Sequence, residues 1–338
     1  MSNVPMPPVY VDFLNRLDIE ELGMTDAEII AAIETSLAAQ GRGETVIEPR
    51  MHLEPGVARG HFNVLRGAIG GAIDRAGVKV VSDFMDNYEL GFPSELAVLV
   101  LLDPYMGAPK AILEAGGITD MRTGAMTAVG AKHLARKGSK VLGHVGARGT
   151  AYWNVRLMDS LFDFDEIRVH SRRPESRNPF AERLSRDLGK PVVATEDWRR
   201  CVEGADIIVE ASRLEAPEPM LRTEWIKPGA LVMPYGTMSA VELSLTDIMD
   251  KLVVDDWGQC KGGKFGSLRA HVEAGKLSAD TLHAEMGQIV AGLKPGREND
   301  SETILFWHRG LSLSDIALGH AMLQKAHAMG IGQRLRFA

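Results

Sequence analysis

Cysteine is nearly absent from this sequence. Cys201 and Cys260 are the only two in 338 residues, and they fit no Cys-x-x-Cys or zinc spacing. That excludes a disulfide framework and supports no metal site, so both read as inert thiols. No apolar run reaches the length of a membrane span. Positive charge is in deficit, with 38 Lys and Arg against 45 Asp and Glu and a formal net charge of -7. This balance argues against a general role on nucleic acid or membrane surfaces. The opening MSNVPMPPVYVDF lacks the basic and long apolar regions of a signal peptide, so a cytoplasmic protein is expected. What is present is an ordinary globular composition, 45% hydrophobic and 25% charged. The length suggests about two domains, with ample chain for a large core.

Thr25 and Glu28 form a capping box ahead of Ile29, Ile30, Ile33 and Leu37, which recur at helical spacing. From about residue 45 to 115 short β-rich runs appear, Val78–Val81, Ala97–Leu102 and Ala111–Leu113, separated by glycine and proline. This stretch reads as the sheet of an α+β domain. Asp120 is placed to cap a helix from Met121 to Arg136. Beyond it strands and helices alternate, with strands at Lys140–Val145, Glu166–His170, Pro191–Val193, Asp206–Val209, Ala230–Met233 and Leu252–Val254. Such alternation implies a parallel, doubly wound sheet. Leu313, Ile316, Ala317 and His320–Ala328 return to helical periodicity, closed by Gly330 and Gly332. The expected architecture is an α/β Rossmann sheet, residues 123–301, inserted in an α+β domain made of 1–122 and 302–338.

The strand ending at Val145 runs into Gly146-Ala147-Arg148-Gly149-Thr150-Ala151 and then a helix. A glycine turn between a buried strand and a helix lets backbone N–H groups approach a pyrophosphate at the helix N-terminus. The glycines recur every third residue, at 143, 146 and 149, and Gly-x-Gly-x-x-Gly is not intact. Arg148 must turn away from the pyrophosphate or contact it. After the second strand, the ribose position carries Ser171-Arg172-Arg173 where a NAD site usually has an acid. The arginines could bind a 2′-phosphate, or form a plain solvated turn. The residues themselves lean toward tolerance of NADP.

With these residues in view, the chain resembles the ornithine cyclodeaminase and mu-crystallin family over nearly its whole length. The resemblance rests on Glu48-Pro49-Arg50, Gly77–Val81, Gly91-Phe92-Pro93-Ser94, Met121–Ala125, the loop at Gly146, Gly204–Ile208 and Phe306–Asp315, in that order and spacing. It implies a homodimer formed through the N-terminal sheet domain and an active site between the two domains. It also implies that Arg50, Lys79 and Arg122 hold a substrate carboxylate and that Ser94 touches the cofactor. Three converging cations suit that task, each charge-assisted hydrogen bond being worth roughly 1.5–3 kcal/mol. Arg122 is also expected at a helix start, where its charge opposes the helix dipole and calls for a nearby anion. Cofactor contacts are further expected at Arg122, Ser212, Tyr235, Gly236, Thr237 and His308.

Two departures from the family pattern bear on the reaction. Cyclodeaminases carry an Asp in Gly-Asp-x-Pro-Gly-Lys after the fifth strand, whereas this chain reads Tyr235-Gly-Thr-Met-Ser-Ala-Val-Glu242. Without that carboxylate, ornithine cyclodeamination loses its acid–base group. Hydride transfer to an imine needs no such group. Near the C-terminus, His308-Arg309 replaces a small Ser and an aliphatic residue. An arginine there suits a second substrate carboxylate, and a histidine can donate a proton near neutral pH. His61 and Arg66 add donors in a segment that is mostly apolar in the family. The expected function is an NAD(P)H-dependent imine reductase making an L-amino acid, with iminosuccinate to L-aspartate as the favoured case. Lys79 or His308 would keep the imine protonated. Alternatives are an alanine dehydrogenase or cyclic ketimine reductase, an ornithine cyclodeaminase, and a non-catalytic crystallin-like cofactor-binding protein. NADH is favoured, with measurable use of NADPH.

Overall fold

In the computed structural model, which describes residues 7–147, 149–262 and 266–338, the chain divides into two units. One comprises the residues up to Arg122 together with Leu311–Ala338, the other Thr123–Gly310. The first begins with strand β1 (Tyr10–Leu14) and helices α1 (Arg16–Glu21) and α2 (Asp26–Gly41). Helix α2 starts where its capping box puts it: Thr25 Oγ1 accepts from the Glu28 amide at 3.3 Å, and the Glu28 carboxylate accepts from the Thr25 amide at 2.8 Å. Strands β2 (Thr45–Ile47), β3 (Met51–Leu53), β4 (Gly60–Ile69), β5 (Arg75–Phe84), β6 (Glu95–Leu102) and β7 (Pro109–Glu114) follow.

With the C-terminal strand Gln333–Arg336 these strands form one sheet. Its order is C-terminal strand, β1, β7, β6, β5, β4, β2, with β3 also on β4. Only β1 and β7 pair in parallel. The C-terminal helix Ser312–Met329 lies on β4, β5 and β6. The approach is close: a side chain at Gly77 would sit 2.8 Å from Ile316, so glycine lets helix and sheet meet. Strands β4 and β5 are ten residues each, longer than the run Val78–Val81 suggested. Their glycines and charged residues break the apolar runs, and register with a neighbour, absent from the sequence pattern, extends them.

Helix α3 (Gly116–Leu134) crosses from the first unit into the second at Arg122–Thr123. It starts ahead of the expected Met121. The Glu114 carboxylate accepts from the Gly116 amide at 2.7 Å and supplies the cap expected of Asp120. Arg122 therefore lies in the second turn, and the argument from the helix dipole does not apply to it.

The second unit continues with β8 (Val141–Val145), α4 (Ala151–Phe162), β9 (Glu166–His170), α5 (Pro174–Leu188), β10 (Val192–Thr195), α6 (Trp198–Val202) and β11 (Ile207–Glu210). Then come β12 (Leu231–Pro234), β13 (Lys251–Val254), β14 (Ala284–Glu285) and β15 (Ile304–Trp307). The sheet order is β10-β9-β8-β11-β12-β15-β13-β14, and every pairing is parallel. This is the doubly wound Rossmann sheet expected. Its order reverses between β8 and β11, which opens a crevice at the carboxyl ends of those strands. Cys201 and Cys260 are buried and free, and burial pushes the Cys201 thiol up to about 12.

Strand β15 changes the expected border. Residues 302–310 were grouped with the C-terminal helix, but Ile304–Trp307 inserts between β12 and β13, and the second unit runs to Gly310. All four residues of this strand are buried. Such a short continuous apolar run has the character of an interior parallel strand, yet periodicity alone cannot separate it from the start of a helix. The Phe306 ring lies where a side chain at Gly130 of α3 would go. Gly130→Ala should therefore lower stability by about 1–3 kcal/mol through overpacking, visible as a lower Tm in thermal denaturation.

Candidate active site

In the first unit, β5, α3 and the C-terminal helix bring three charges together. Lys79 Nζ donates to Asp315 Oδ1 at 2.6 Å and to Thr119 Oγ1 at 3.0 Å. Arg122 Nε donates to the same Asp315 oxygen at 3.0 Å. Lys79 is 1% exposed, Arg122 7% and Asp315 0%. Burial of ions at this depth is costly unless they are paired, and here two cations share one carboxylate. Asp315 Oδ2 is buried with no hydrogen-bond partner among the described residues. Burial pulls the Lys79 ammonium down to about 8, Asp315 pulls it back up, and Arg122 and Arg50 push it down. Burial and Glu95 raise the Asp120 carboxyl to about 6, against the pull of Arg122 and Lys79.

The sequence reading named Lys79, Arg122 and Arg50, and Lys79 feels both arginines. Asp315, which organises Lys79 and Arg122, was only part of a matching segment. Its signal was a lone acid in the apolar start Leu313-Ser-Asp-Ile-Ala-Leu. Arg66 does not join the cluster. Leu65 pairs with Lys79 and Arg66 with Val78, and adjacent residues of a strand face opposite sides. Arg66 instead points at Glu48, 3.5 Å away. His61 lies on the Lys79 face but opposite Asp83, nearer the other end of the strand pair, with its ring 5.7 Å from that of His52. Ser94 is buried, its hydroxyl 3.4 Å from that of Tyr88.

The second unit presents its own constellation at the carboxyl edge of the sheet. The turn after β8 has Gly146 at φ 116° and Gly149 at φ 54°, values glycine adopts freely. A side chain on Gly146 would also meet the Ala211 carbonyl at 2.6 Å. Ala147 follows in the turn, and Arg148 lies outside the described residues. Thr150 does not cap α4 with its hydroxyl, which pairs with the Tyr235 hydroxyl at 2.6 Å. The first amides of α4 therefore lack that side-chain cap, as an anion site requires. At the end of β9, Ser171 is half-buried, Arg172 and Arg173 are exposed, and Arg177 donates to the Ser171 carbonyl at 3.3 Å.

After β11 and β12 the loops holding Ser212 and Tyr235–Thr237 converge. Thr237 N donates to the Ser212 carbonyl at 3.1 Å and Gly236 N to the Glu210 carbonyl at 3.1 Å. The Tyr235 ring stacks on His308 at 4.5 Å, and His308 Nε2 meets Thr127 Oγ1 at 3.0 Å. Asn154 bonds both the Tyr235 hydroxyl and His144 Nε2. Burial lowers His144 to about 4, which keeps it neutral. The amides of Arg309 and Gly310 donate to buried Asp255 at 2.8 and 2.9 Å. The Arg309 guanidinium donates to the Gly262 carbonyl at 2.8 Å. Glu242 is engaged by Arg222 at 2.7 Å and the Thr223 amide at 2.7 Å. Its role is structural.

The fold has counterparts among known proteins. A model of the ornithine cyclodeaminase/mu-crystallin family matches residues 10–329. The chain belongs to this family. A Delta(1)-pyrroline-2-carboxylate reductase from Thermococcus litoralis, solved with NADH and L-proline, is 30% identical with a TM-score of 0.88, covering 96% of this chain and 99% of that one. An archaeal alanine dehydrogenase dimer with bound NAD is 26% identical with a TM-score of 0.89, covering 98% and 100%. An iminosuccinate reductase from Paracoccus denitrificans, solved with NAD+, is 25% identical with a TM-score of 0.88, covering 97% and 100%. In keeping with these dehydrogenase and reductase relatives, the chain is an oxidoreductase that uses a nicotinamide dinucleotide.

Removing the shared counter-charge tests the buried cluster. Asp315→Asn leaves two cations facing a neutral side chain and should cost about 3–5 kcal/mol of stability, measured by denaturant unfolding. A loss below about 1 kcal/mol, the value of an exposed pair, would mean that Asp315 does not balance Lys79 and Arg122.

Proposed function

We propose that this oxidoreductase reduces a small α-imino acid to an L-amino acid, with iminosuccinate to L-aspartate as the favoured reaction. The observation that carries the reading is the convergence of buried cations at Asp315. Lys79 and Arg122 share one carboxylate oxygen, and Arg50 lies within electrostatic reach. A substrate carboxylate would be drawn to this group of cations. Arg309, a cation at the carboxyl end of β15, would meet the distal carboxylate of a dicarboxylate. The likeness to the iminosuccinate reductase supports the same choice.

The second unit fits a dinucleotide on its own geometry. The Gly146–Gly149 turn and the first amides of α4 would hold the pyrophosphate. Ser171 and Arg172 would face the adenosine ribose, without an acid to exclude NADP. Ser212, Tyr235, Gly236, Thr237 and His308 would border the nicotinamide half, and Ser94 and Arg122 would contact the cofactor from the first unit. When bound, the reduced nicotinamide supplies the hydride that converts the C=N carbon to a C–H carbon. The protein fixes the substrate carboxylates and so orients that carbon, which supplies much of the rate. It also keeps the imine nitrogen protonated, with Lys79 as the donor group. We also propose a homodimer through the sheet of the first unit, in keeping with the dimeric alanine dehydrogenase neighbour.

A monocarboxylate or cyclic imine is the second reading, favoured by the occupation of the Arg309 guanidinium by the Gly262 carbonyl. A spectrophotometric panel separates the two. Iminosuccinate, formed from oxaloacetate and ammonia, should turn over faster than pyruvate with ammonia or a cyclic imine. Arg309→Ala should reduce kcat/KM for the dicarboxylate by about tenfold or more, the loss of one charged hydrogen bond, and spare the monocarboxylate. Equal or faster turnover of pyruvate in the native enzyme would remove the dicarboxylate preference.

Lys79 gives a pH dependence with a definite sign. Its ammonium is lowered to about 8, so the proton-carrying form dominates below that pH and is lost above it. The reductive rate should fall as pH rises through about 8, and Lys79→Arg, which does not titrate there, should flatten that limb. A limb unchanged in the variant would assign it to another group.

A further inference from the structure

Glu210 ends β11 with a carboxylate that is 0% exposed. Oε1 accepts from the Ser212 amide at 2.8 Å and the Ser212 hydroxyl at 2.5 Å. Oε2 accepts from the Ser267 hydroxyl at 2.5 Å and the Gly236 amide at 3.3 Å. These four partners are neutral. Each oxygen faces a backbone N–H, which can only donate, together with a hydroxyl, and that arrangement favours the anion. Burial pushes the carboxyl up while the hydrogen bonds pull it back. Gly236 is shaped to the group: a side chain there would sit 2.5 Å from Glu210 Oε1. Glu210 thus ties the loop after β11, the loop after β12 and the segment at Ser267 around one buried charge.

The strand order places that charge. The sheet reverses between β8 and β11, and a dinucleotide lies across such a crevice at the carboxyl ends of the strands. The turn after β8 takes the pyrophosphate, β9 the adenosine half, and β11 and β12 the nicotinamide half. The nicotinamide ring is a cation when oxidised and neutral when reduced. A fixed anion beneath its loops, away from water, favours the cationic form.

We propose that Glu210 is a redox-biasing residue of the cofactor site: a buried, fixed anion that strengthens binding of the oxidised nicotinamide relative to the reduced one. The inference rests on the dinucleotide reading above. Since Glu210 acts through the field and the loops it holds, it is a positioning residue and transfers no proton or hydride.

The test measures dissociation constants of purified full-length protein for NAD+ by calorimetry and for NADH by fluorescence. The native protein should bind NAD+ at least as tightly as NADH. Glu210→Gln keeps the shape and removes the charge. It should raise the Kd ratio of NAD+ to NADH by roughly tenfold, the size of a unit charge acting across a partly solvated site. Glu210→Asp keeps the charge and should hold the ratio near the native value even if both affinities weaken. Equal weakening of both cofactors by Gln, or a ratio shift shared by Gln and Asp, would leave Glu210 a structural brace and overturn the proposal. If Gln fails to fold, a native protein that binds NADH clearly tighter than NAD+ overturns it as well. Native protein that binds neither cofactor would instead overturn the dinucleotide reading on which the proposal stands.

Discussion

The ion cluster at Asp315 ties three elements of the first unit together. One carboxylate oxygen receives Lys79 from β5 and Arg122 from α3, so the C-terminal helix cannot shift on the sheet without separating buried charges. Apolar packing alone would tolerate such a shift. The charged pairs do not, because each ion left without its partner in a dry interior carries a large desolvation cost. The Asp120 carboxyl also feels Arg122 and Lys79, so the cluster is a network of buried charges and not a single pair.

The second unit uses polar groups differently. Strands β11, β12, β13 and β15 are buried throughout, and conspicuous polar groups gather at the carboxyl ends. There the glycine turn offers amides, Asp255 gathers the amides that follow His308, and Glu210 gathers three loops. Both of these carboxylates are fully buried and held mainly by backbone N–H groups and hydroxyls. Such groups fix loop backbones without long flexible side chains, which suits a site whose cofactor must sit at a set distance from a reacting carbon.

The departures from the family pattern acquire physical content in this setting. Tyr235 stands where the cyclodeaminase segment begins, and its ring packs on His308, itself a departure. This contact joins the loop after β12 to the end of β15. The absence of an acid between Tyr235 and Val241 removes a proton carrier from that loop, while Glu242 is spent on Arg222 and Thr223. What remains suits hydride transfer to an imine better than deamination with ring closure.

Much was legible in the order of residues. The alternation of apolar runs and helices after Gly138, the glycines at 143, 146 and 149, and the capping box at Thr25 each encode local structure. Local structure follows from neighbours a few positions away, so the parallel sheet and its glycine turn could be named from sequence, whereas Lys79 and Arg122 were named through the family resemblance. Other features depend on residues far apart in the chain. The place of Ile304–Trp307 between β12 and β13, the facing of Arg66 toward Glu48, and the start of α3 at Gly116 are set by register and by partners in other elements. The same is true of Asp315 and Glu210. A lone acid in an apolar stretch announces only that something must satisfy it; which cations or amides do so, and therefore what the charge accomplishes, was decided by the tertiary structure, because pairing in a buried site is a property of distance and not of sequence spacing.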